Sequence, residues 1–454
     1  MHSPLHIIIL AAGAGMRMKS RVSKVLQTVG GRPMIIHVLD TALQLRPAGV
    51  HVVFNPQAPE VQQACADFDI VWAEQAQQLG TGHAVLQAMP GVPRDADVLV
   101  LYGDIPLLEA AVLRKLIESP SKGIKVLTMH IPEPLGYGRI IRDDHGNVTG
   151  IVEERDATES QRAITEVNSG IIMAPRAELS ACLENMASEN SQNEYYLTDV
   201  FSIAYEKGIQ TSAVVAPVAA DLEGANDRIQ LAKLERRYRM KKATELMRAG
   251  VQLADPQRID VRGTVAAGSD VFIDVNVVLE GDISLGDGVH IGPGCVLKNC
   301  HLAAGTRVDA YSVLEGMRSL GACNIGPFAR VRPGTELMEG CRVGNFVEIK
   351  NTSLGKNSKA SHLSYLGDSN IGDRVNIGAG TITCNYDGVN KHRTVIGDDA
   401  FIGSDTQLVA PVTVGAGADI GAGSTVTKDA PAGQLTISRA KQVTIRSWKR
   451  PVKK

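Results

Sequence analysis

The amino-acid sequence predicts two domains of different fold class, an α/β domain with a mostly parallel sheet followed by a left-handed parallel β-helix. Three observations support this prediction. Up to about residue 225, short aliphatic runs such as HIIIL, VHVVF and DVLVLY alternate with helix-like stretches. A charged, helix-favouring stretch then separates this half from a glycine-rich second half. In the second half, aliphatic residues recur every six positions.

The alternation in residues 1–225 is typical of βα units, whose strands form a parallel sheet. The first run, residues 5–12, also has the apolar character of a signal-peptide core. No Lys or Arg precedes it, however, and it continues into a glycine-rich turn that carries Arg17. We therefore interpret it as a buried strand. No other stretch approaches the roughly 20 apolar residues of a membrane span.

A linker helix is predicted for residues 226–250, with Gly250 as its C-terminal stop. Its many charges are interpreted as a solvated helix face rather than a nucleic-acid surface, because the whole chain has a net charge of −2. The predicted organisation is thus an α/β domain (1–225), the linker helix (226–250), the β-helix (251–436) and a basic C-terminal tail (437–454).

The period of six in the second half is typical of hexapeptide repeats, because three hexads close one triangular coil with the aliphatic side chain pointing inward. Neither the helical period of 3.6 nor strand alternation produces it. Phase breaks at 301–324, 350–370 and 383–395 are interpreted as loops that leave the coil. The eighteen positions in phase are Val265, Val271, Val277, Ile283, Val289, Ile325, Val331, Leu337, Val343, Ile349, Ile371, Ile377, Ile396, Ile402, Leu408, Val414, Ile420 and Val426.

Composition limits the possible functions. A net charge of −2 over 454 residues gives no general attraction to nucleic acid or to an anionic membrane, although small anionic substrates remain possible. The cysteines are odd in number and contain no CxxC pair, which argues against a disulfide framework and a zinc site. We therefore expect reduced thiols and a cytoplasmic location. The seven cysteines are Cys65, Cys182, Cys295, Cys300, Cys323, Cys341 and Cys384.

The turn that follows HIIIL, AAGAGMRM, is a candidate phosphate site. It offers backbone N–H groups, and Arg17 and Lys24 add two cations. A dinucleotide-binding fold is disfavoured because Met18 stands where its third glycine would be. A purely structural turn is the alternative.

Two further motifs lie near this turn in the predicted sheet. QQLGTGHA, residues 77–84, is another loop rich in backbone donors, and YGDIP places Asp104 just after the strand 97–102. A carboxylate at the end of a parallel strand is well placed to hold Mg²⁺ against a phosphate chain. Its alternative role is that of a helix or turn cap.

Together these motifs closely resemble those of bacterial N-acetylglucosamine-1-phosphate uridylyltransferases. The resemblance rests on the order and spacing of LAAGxGxRM, KVL, LGTGHA, YGDIP, GYGRI, VEE, NSG and EGAN across the whole first half. Met16 and Ser23 depart from the family, which usually has Thr and Pro there. The resemblance implies a Rossmann-like nucleotidyltransferase in which a sugar-phosphate oxygen attacks the α-phosphorus of UTP and releases pyrophosphate. No side-chain nucleophile is required.

By this resemblance, Gly138, Glu153 and Asn168 would bind the sugar, and Asp104 and Asn226 would bind Mg²⁺. Arg17 and Lys24 would hold the triphosphate, and Gln75 and Gly80 the uracil. The full set of implied nucleotide-binding residues is Leu10, Ala11, Ala12, Gly13, Gly15, Arg17, Lys24, Gln75, Gly80, Thr81, Tyr102, Gly103 and Asp104.

In the second half, the loop sequences FARVRPG, KNTSLGKNSKASHLSYLGD and NIGAGTITCNYDGVNKHRT resemble the glucosamine-1-phosphate acetyltransferase half of the same bifunctional proteins. The resemblance therefore covers nearly all of the chain. Ser361 replaces a Gly that is common before the histidine. A β-helix by itself proves no activity, so two rivals remain: a monofunctional nucleotidyltransferase with a structural β-helix, and a non-catalytic scaffold.

The resemblance implies that His362 is the general base, since an imidazole accepts a proton at neutral pH. A structural histidine is the alternative. The sugar phosphate would be held by Arg332, Lys350 and Lys391, with Tyr365 and Asn376 contacting its hydroxyls. Asn385 and Tyr386, also implied at the acetyl-CoA cleft, would contact substrate or steady the imidazole. The other residues implied at this cleft are Ala379, Ser404, Ala422 and Arg439.

The function implied is acetylation of glucosamine-1-phosphate followed by uridylylation to UDP-N-acetylglucosamine, a precursor of bacterial cell-envelope polymers. Mg²⁺ would be the cofactor, with acetyl-CoA and UTP as co-substrates. We expect a homotrimer that binds small-molecule substrates and neither nucleic acid nor membrane. The basic tail either meets the phosphates of coenzyme A or is a frayed, solvated terminus.

Overall fold

The computed structural model describes residues 3–13 and 15–453, except for the side chain of Met16. The chain forms two compact units that divide between Tyr238 and Arg239, a point inside the long helix Arg228–Arg248. Within the described part of the chain, no helix is long and apolar enough to cross a membrane.

The first unit is built on a nine-stranded sheet. Its strands are β1 Leu5–Leu10, β4 Gly49–Phe54, β5 Val71–Glu74, β6 Asp97–Tyr102, β7 Ile124–His130, β8 Arg139–Arg142, β9 Val148–Val152, β10 Glu166–Pro175 and β11 Thr211–Val215, with a separate hairpin of β2 Thr28–Val29 and β3 Arg32–Pro33. The helices are α1 Met34–Leu43, α2 Glu60–Ala64, α3 Thr81–Ala88, α4 Ala110–Glu118, α5 Glu159–Arg162, α6 Arg176–Leu183, α7 Val200–Glu206 and α8 Arg228–Arg248.

The main sheet has the order β11-β7-β10-β6-β1-β4-β5, and all its neighbours pair in parallel except β10, which is antiparallel to β6 and β7. Both faces of the sheet are covered. Ile7 and Ile9 of the central strand β1 belong to one buried cluster, and Ile8 and Leu10 to another. Because successive side chains of a strand point to opposite faces, this unbroken aliphatic run is what a doubly covered strand requires. The interpretation of residues 5–12 as a buried strand is confirmed for β1.

The second unit is a parallel β-helix. Its strands are β12 Gln252–Leu253, β13 Ile259–Ala267, β14 Phe272–Ile273, β15 Val277–Leu285, β16 His290–Ile291, β17 Val296–Leu302, β18 Arg307–Val308, β19 Val313–Glu315, β20 Met317–Ser319, β21 Asn324–Ile325, β22 Arg330–Val331, β23 Thr335–Leu337, β24 Arg342–Asn345, β25 Glu348–Lys350, β26 Ser353–Leu354, β27 Lys359–His362, β28 Tyr365–Gly367, β29 Ser369–Ile371, β30 Asn376–Ile377, β31 Ile382–Cys384, β32 Thr394–Ile396, β33 Phe401–Ile402, β34 Gln407–Val409, β35 Val412–Val414, β36 Asp419–Ile420, β37 Thr425–Val426 and β38 Leu435–Thr436. Residues 439–453 follow the last strand and are exposed.

The interior of the β-helix is lined by the residues that the period of six singled out. Seventeen of the eighteen positions are at most 3% exposed, and Val265, in the early strand β13, is partly buried. Each interior side chain stacks on its counterpart in the next coil, as Val331 does on Ile349. The aliphatic ladder therefore forms one continuous core, which explains why the same side-chain type must recur at a fixed spacing.

Two of the three predicted loops are absent from this unit, so their prediction is wrong. The chain stays in the coil through 301–324 and 350–370, where Val308 pairs with Ile325 and Ala360 with Ile377, each 17 residues apart. The phase shifts there because a coil of 17 residues is one residue shorter than three full hexads. Only 383–395 leaves the coil, since Ile377 pairs with Ile402, which is 25 residues away.

The inward-facing aliphatic residues should contribute more to the free energy of unfolding than their outward-facing neighbours in the same strand. Ile396 is 1% exposed, and its neighbour Val395 points outward and is 38% exposed. Ile396→Ala should lower the free energy of unfolding of the β-helix by about 2–5 kcal/mol, because it leaves a cavity in a packed core. Val395→Ala should change it by no more than about 0.5 kcal/mol. Urea unfolding followed by circular dichroism measures both, and equal effects would contradict the inward assignment of Ile396.

Candidate active sites

The first unit contains a cavity of about 400 Å³ at the carboxyl ends of β1 and β6. Leu10 pairs with Tyr102, so the glycine-rich turn and the YGD turn leave the sheet side by side. The cavity is lined by thirteen residues singled out from the sequence, Leu10, Ala11, Ala12, Gly13, Gly15, Arg17, Lys24, Gln75, Gly80, Thr81, Tyr102, Asp104 and Asn226, and also by Val25, Gln78, Ala84 and Glu194. Gly103 lies just behind, where its N–H donates to the Leu10 carbonyl oxygen.

Lys24, Asp104 and Asn226 meet at one side of this cavity. The Lys24 ammonium lies 2.6 Å from Asp104 Oδ2 and 3.2 Å from Asn226 Oδ1. Asp104 is only 7% exposed, and Gly224 packs closely against it, since a Cβ on Gly224 would lie 2.9 Å from Asp104 Oδ2. Two oxygen atoms thus converge on one cationic position. Over residues 3–13 and 15–453, no group of three or more His, Cys, Asp or Glu side chains could hold a metal ion.

The loop after β5 is tied to the glycine-rich turn. The Gln78 side chain donates to the Ala12 carbonyl oxygen over 2.8 Å, and the buried Gln75 donates to the Gly80 carbonyl oxygen. Gly80 has φ +112°, and a Cβ there would lie 2.5 Å from the Tyr195 carbonyl oxygen, so only glycine fits. Gly80 immediately precedes α3, and both Gly80 and the first helical residue, Thr81, line the cavity. The N-terminus of α3 therefore lies at the cavity.

Gly138, Glu153 and Asn168 form a second group of neighbours. The Asn168 N–H donates to the Gly138 carbonyl oxygen over 2.9 Å, and a Cβ on Gly138 would lie 3.3 Å from Glu153 Oε1. Burial raises the pKa of the Glu153 carboxyl, which accepts a hydrogen bond from the Thr198 hydroxyl. Sequence reasoning missed Thr198, because it is 45 residues from its partner.

Tyr102 connects this group with the cavity. Burial, followed by the negative charge of Glu153, raises the pKa of the Tyr102 phenol well above its ordinary value, and the charge of Asp104 adds to the shift. The phenol therefore stays protonated and lies within electrostatic range of both carboxylates. Gly170, with φ +86°, makes room for the ring, because a Cβ there would lie 2.5 Å from Tyr102 Cε2.

In the second unit, three cationic side chains are brought together. Contact with Lys391 and its charge lowers the pKa of the Lys350 ammonium, and the charge of Arg332 lowers it further. Arg332 also pairs with Glu348, with 2.9 Å between Nη1 and Oε1. Mutual repulsion of this kind marks a position where an anion would be stabilised. Glu348 was not among the residues predicted from the sequence.

A buried carboxylate, Asp368, lies within electrostatic range of the two lysines of this group. Asp368 is 7% exposed and accepts hydrogen bonds from the side-chain amides of Asn351 (2.6 Å) and Asn385 (2.5 Å). Burial alone raises the pKa of the Asp368 carboxyl, but these bonds and the charges of the two lysines outweigh it, and the pKa lies below its ordinary value. Asp368 thus stays ionised and holds Asn385. Sequence reasoning quoted its YLGD motif without assigning it a role.

Tyr365 is close to the same group. A Cβ on Gly367 would lie 2.4 Å from the Tyr365 hydroxyl and 2.9 Å from Asn385 Nδ2, so this glycine leaves space for both side chains. The 383–395 loop carries Tyr386 and Lys391, whose backbones form a bridge. Inside the loop, the backbone N–H of Asn390 and the His392 side chain hold the pKa of Asp387 far below its usual range.

His362 ends strand β27, and its Nδ1 lies 2.8 Å from Asn345 Oδ1. Both residues line an open cavity of about 450 Å³. The other lining residues are Asn324, Gly326, Pro327, Arg342, Val343, Gly344 and Ser361. Sequence reasoning also missed Asn345, whose partner is 17 positions away.

The remaining predicted residues follow the later coils. Asn376 begins β30. Ala379, Ser404 and Ala422 lie at equivalent corners, because a Cβ on Gly378 would meet the Ser404 N–H and one on Gly403 would meet that of Ala422. Arg439 donates to the Ala422 carbonyl oxygen over 2.6 Å. These four residues therefore form one column, of which Ser404, Ala422 and Arg439 are exposed.

Comparison with known proteins agrees with both units. The MobA-like NTP transferase domain family matches residues 7–163, and the bacterial transferase hexapeptide repeat family, whose fold is a left-handed β-helix, matches residues 268–299 and 393–428. The bifunctional protein GlmU of Alkalilimnicola ehrlichii is 54% identical over 451 residues, covering 99% of this chain and 97% of that protein.

Two further relatives carry the same name. GlmU of Stenotrophomonas maltophilia is 54% identical over 455 residues and covers 100% of both chains. GlmU of Bordetella parapertussis is 54% identical over 455 residues, covering 99% of this chain and 100% of that protein. Since this identity extends over essentially the full length of both chains, the chain belongs to the GlmU family of bifunctional enzymes, which combine a nucleotidyltransferase domain with a hexapeptide-repeat acetyltransferase domain.

Proposed function

We propose that the chain acetylates glucosamine-1-phosphate in the β-helix, residues 251–436, and uridylylates the product in residues 1–225 to give UDP-N-acetylglucosamine. Residues 226–250 would serve as the linker helix. The observation that carries this proposal is that each unit has its own group of cationic side chains suited to a phosphate, Lys24 with Arg17 in one and Arg332 with Lys350 and Lys391 in the other.

In the uridylyltransferase site, the glycine-rich turn, Arg17 and Lys24 bind the triphosphate of UTP, and Gln75 with Gly80 binds the uracil. Asp104 and Asn226 suit Mg²⁺, because their two oxygens already converge on the Lys24 ammonium and Mg²⁺ takes few protein ligands beside phosphates and water. When bound, Mg²⁺ supplies charge neutralisation on the phosphoryl oxygens.

The sugar phosphate binds beside Gly138, Glu153 and Asn168. One of its phosphate oxygens forms the new bond to the α-phosphorus of UTP, and the bond to the β-phosphate oxygen breaks, so that pyrophosphate leaves. The contribution of the protein is to hold two anions in line against their mutual repulsion. Lys24 stabilises the charge that builds on the transferred group.

In the acetyltransferase site, Arg332, Lys350 and Lys391 bind the sugar phosphate, and Tyr365 and Asn376 contact its hydroxyls. His362 accepts a proton as the amine attacks the thioester carbonyl of acetyl-CoA. The C–N bond forms, the C–S bond breaks, and coenzyme A leaves as a thiolate that takes up a proton. Acetyl-CoA lies along Ala379, Ser404, Ala422 and Arg439, next to Asn385 and Tyr386.

We also infer a homotrimer in the cytoplasm. Tyr311, Phe328 and Phe346 stack on one corner of successive coils and are 58%, 47% and 58% exposed. An exposed apolar column of this kind supports subunit contact. The seven free cysteines, six of them buried, support a reducing compartment.

The first prediction separates the two activities. Purified chain incubated with glucosamine-1-phosphate, acetyl-CoA, UTP and Mg²⁺ should give UDP-N-acetylglucosamine by mass spectrometry. Asp104→Ala should reduce uridylyl transfer by on the order of 10²–10³, because it removes a ligand of the cation that offsets phosphate charge. Acetyl transfer should continue at the normal rate.

The control for this variant is Asp144→Ala, which removes an exposed carboxylate of the same domain and should leave both activities unchanged. A scaffold would give no product, and a monofunctional nucleotidyltransferase would give no acetylated sugar. Equal loss of both activities in Asp104→Ala would overturn the assignment of separate sites.

The second prediction concerns His362. His362→Ala should lower kcat for acetyl transfer by on the order of 10²–10⁴, the usual contribution of a positioned base, with little change in acetyl-CoA affinity. Uridylyl transfer and thermal unfolding should stay normal. His301→Ala, in strand β17, is the matched control. A His362→Ala protein that melts normally and acetylates at the wild-type rate would show that His362 is not the base.

The third prediction is the trimer. Sedimentation equilibrium should give three times the chain mass, and Phe328→Glu should weaken association, since it places a charge in the middle of the aromatic column. A monomer with full acetyl-transfer activity is the contrary result.

A further inference from the structure

His362 contacts Asn345 through only one of its two imidazole nitrogens. Nδ1 of His362 lies 2.8 Å from the amide oxygen of Asn345. An amide oxygen only accepts hydrogen bonds, so with the Asn345 amide in this orientation Nδ1 carries the proton in the neutral ring. The lone pair is then on Nε2. We propose that Asn345 is a positioning residue that holds His362 in the Nδ1–H tautomer, leaving Nε2 to take the proton of the attacking amine.

This inference rests on the proposed role of His362 and adds to it the residue that orients the ring. In the proposed step, Nε2 binds the proton released when the amine nitrogen bonds to the thioester carbon. The ring then carries one positive charge, and Nδ1–H continues to donate to Asn345. The Asn345 amide can keep this hydrogen bond in both protonation states, so the ring need not rotate during the reaction.

The backbone fixes the relative position of the two side chains. Asn345 and His362 are direct partners in the parallel pairing of β24 with β27. These strands approach so closely at the preceding position that a Cβ on Gly344 would lie 2.0 Å from the Ser361 carbonyl oxygen. Phe346 and Leu363, the next residues, both have left-handed backbones, with φ +56° and +48°. The two coils thus turn the same corner in the same way, and Asn345 lies directly beside the ring.

The strands around His362 carry cationic side chains but no carboxylate. The charged side chains on its own strand and the two strands that pair with it are Lys359 and Arg342, and both are cationic. Asn345 therefore orients the imidazole without the additional attraction that an Asp would exert on a protonated ring.

The direct test is the tautomer itself. Full-length protein labelled with ¹⁵N-histidine should show His362 with a protonated Nδ1 and an unprotonated Nε2 at pH 8, the resonance being assigned by its loss in His362→Gln. Asn345→Ala should lower kcat for acetyl transfer by about 10- to 100-fold with acetyl-CoA KM unchanged, and it should allow the Nε2–H tautomer to appear. Asn370→Ala, an exposed asparagine of strand β29 that lies outside this cavity, is the matched control and should behave as wild type.

A charge-changing variant separates positioning from simple folding effects. Asn345→Asp keeps an acceptor oxygen and should retain more activity than Asn345→Ala, while the acid limb of the kcat profile moves up by about one pH unit. A wild-type ring found in the Nε2–H form, or wild-type kcat in a folded Asn345→Ala protein, would overturn the inference. If His362→Ala itself acetylates normally, the proposed base is wrong instead, which is a separate outcome.

Discussion

The register of parallel strands is the constraint on which both candidate sites depend. In the first unit, the pairing of Leu10 with Tyr102 places the glycine-rich turn beside Asp104. In the second, the pairing of Asn345 with His362 places an amide beside an imidazole. Parallel hydrogen bonding is evenly spaced, so a residue's neighbour on the next strand is set by the backbone alone. A shift of one residue would separate these groups and turn core side chains outward.

Much of the fold could be predicted because the residues that pack in the interior of the β-helix recur at a regular spacing in the sequence. A β-helix coil buries the same position on every turn, so the aliphatic side chains at Val331, Ile349 and their equivalents reveal the coil directly. The predicted loops at 301–324 and 350–370 were wrong because a coil that is one residue shorter shifts the phase of the pattern without leaving the helix. The period of six reports only the spacing of aliphatic residues along the chain. Whether a segment belongs to the β-helix depends instead on its pairing with strands of the neighbouring coils.

The site residues divide in a similar way. Most residues of the first cavity could be predicted because they lie in short motifs around Gly15, Gly80 and Asp104, where the backbone itself forms the site. The polar residues that hold these site residues in place could not be predicted. Asp368 holds Asn385 from 17 positions away, and Thr198 binds Glu153 from 45 positions away. Such polar partners carry no local pattern, because their contact is created only when strands and loops are brought together.

The two proposed phosphate sites hold their cationic side chains in opposite ways. In the first unit the Lys24 ammonium is already paired with the buried carboxylate of Asp104, so its charge is balanced before any substrate binds. In the second, Lys350 and Lys391 repel each other, and this repulsion lowers the pKa of Lys350. A bound phosphate would relieve the repulsion and favour the charged form of Lys350. Phosphate binding as proposed would thus be coupled to proton uptake there, whereas in the first site it would compete with an existing ion pair. The buried Asp368 offsets part of this repulsion. Because it also accepts a hydrogen bond from Asn385, the same carboxylate connects the cationic group with a residue of the proposed acetyl-CoA cleft.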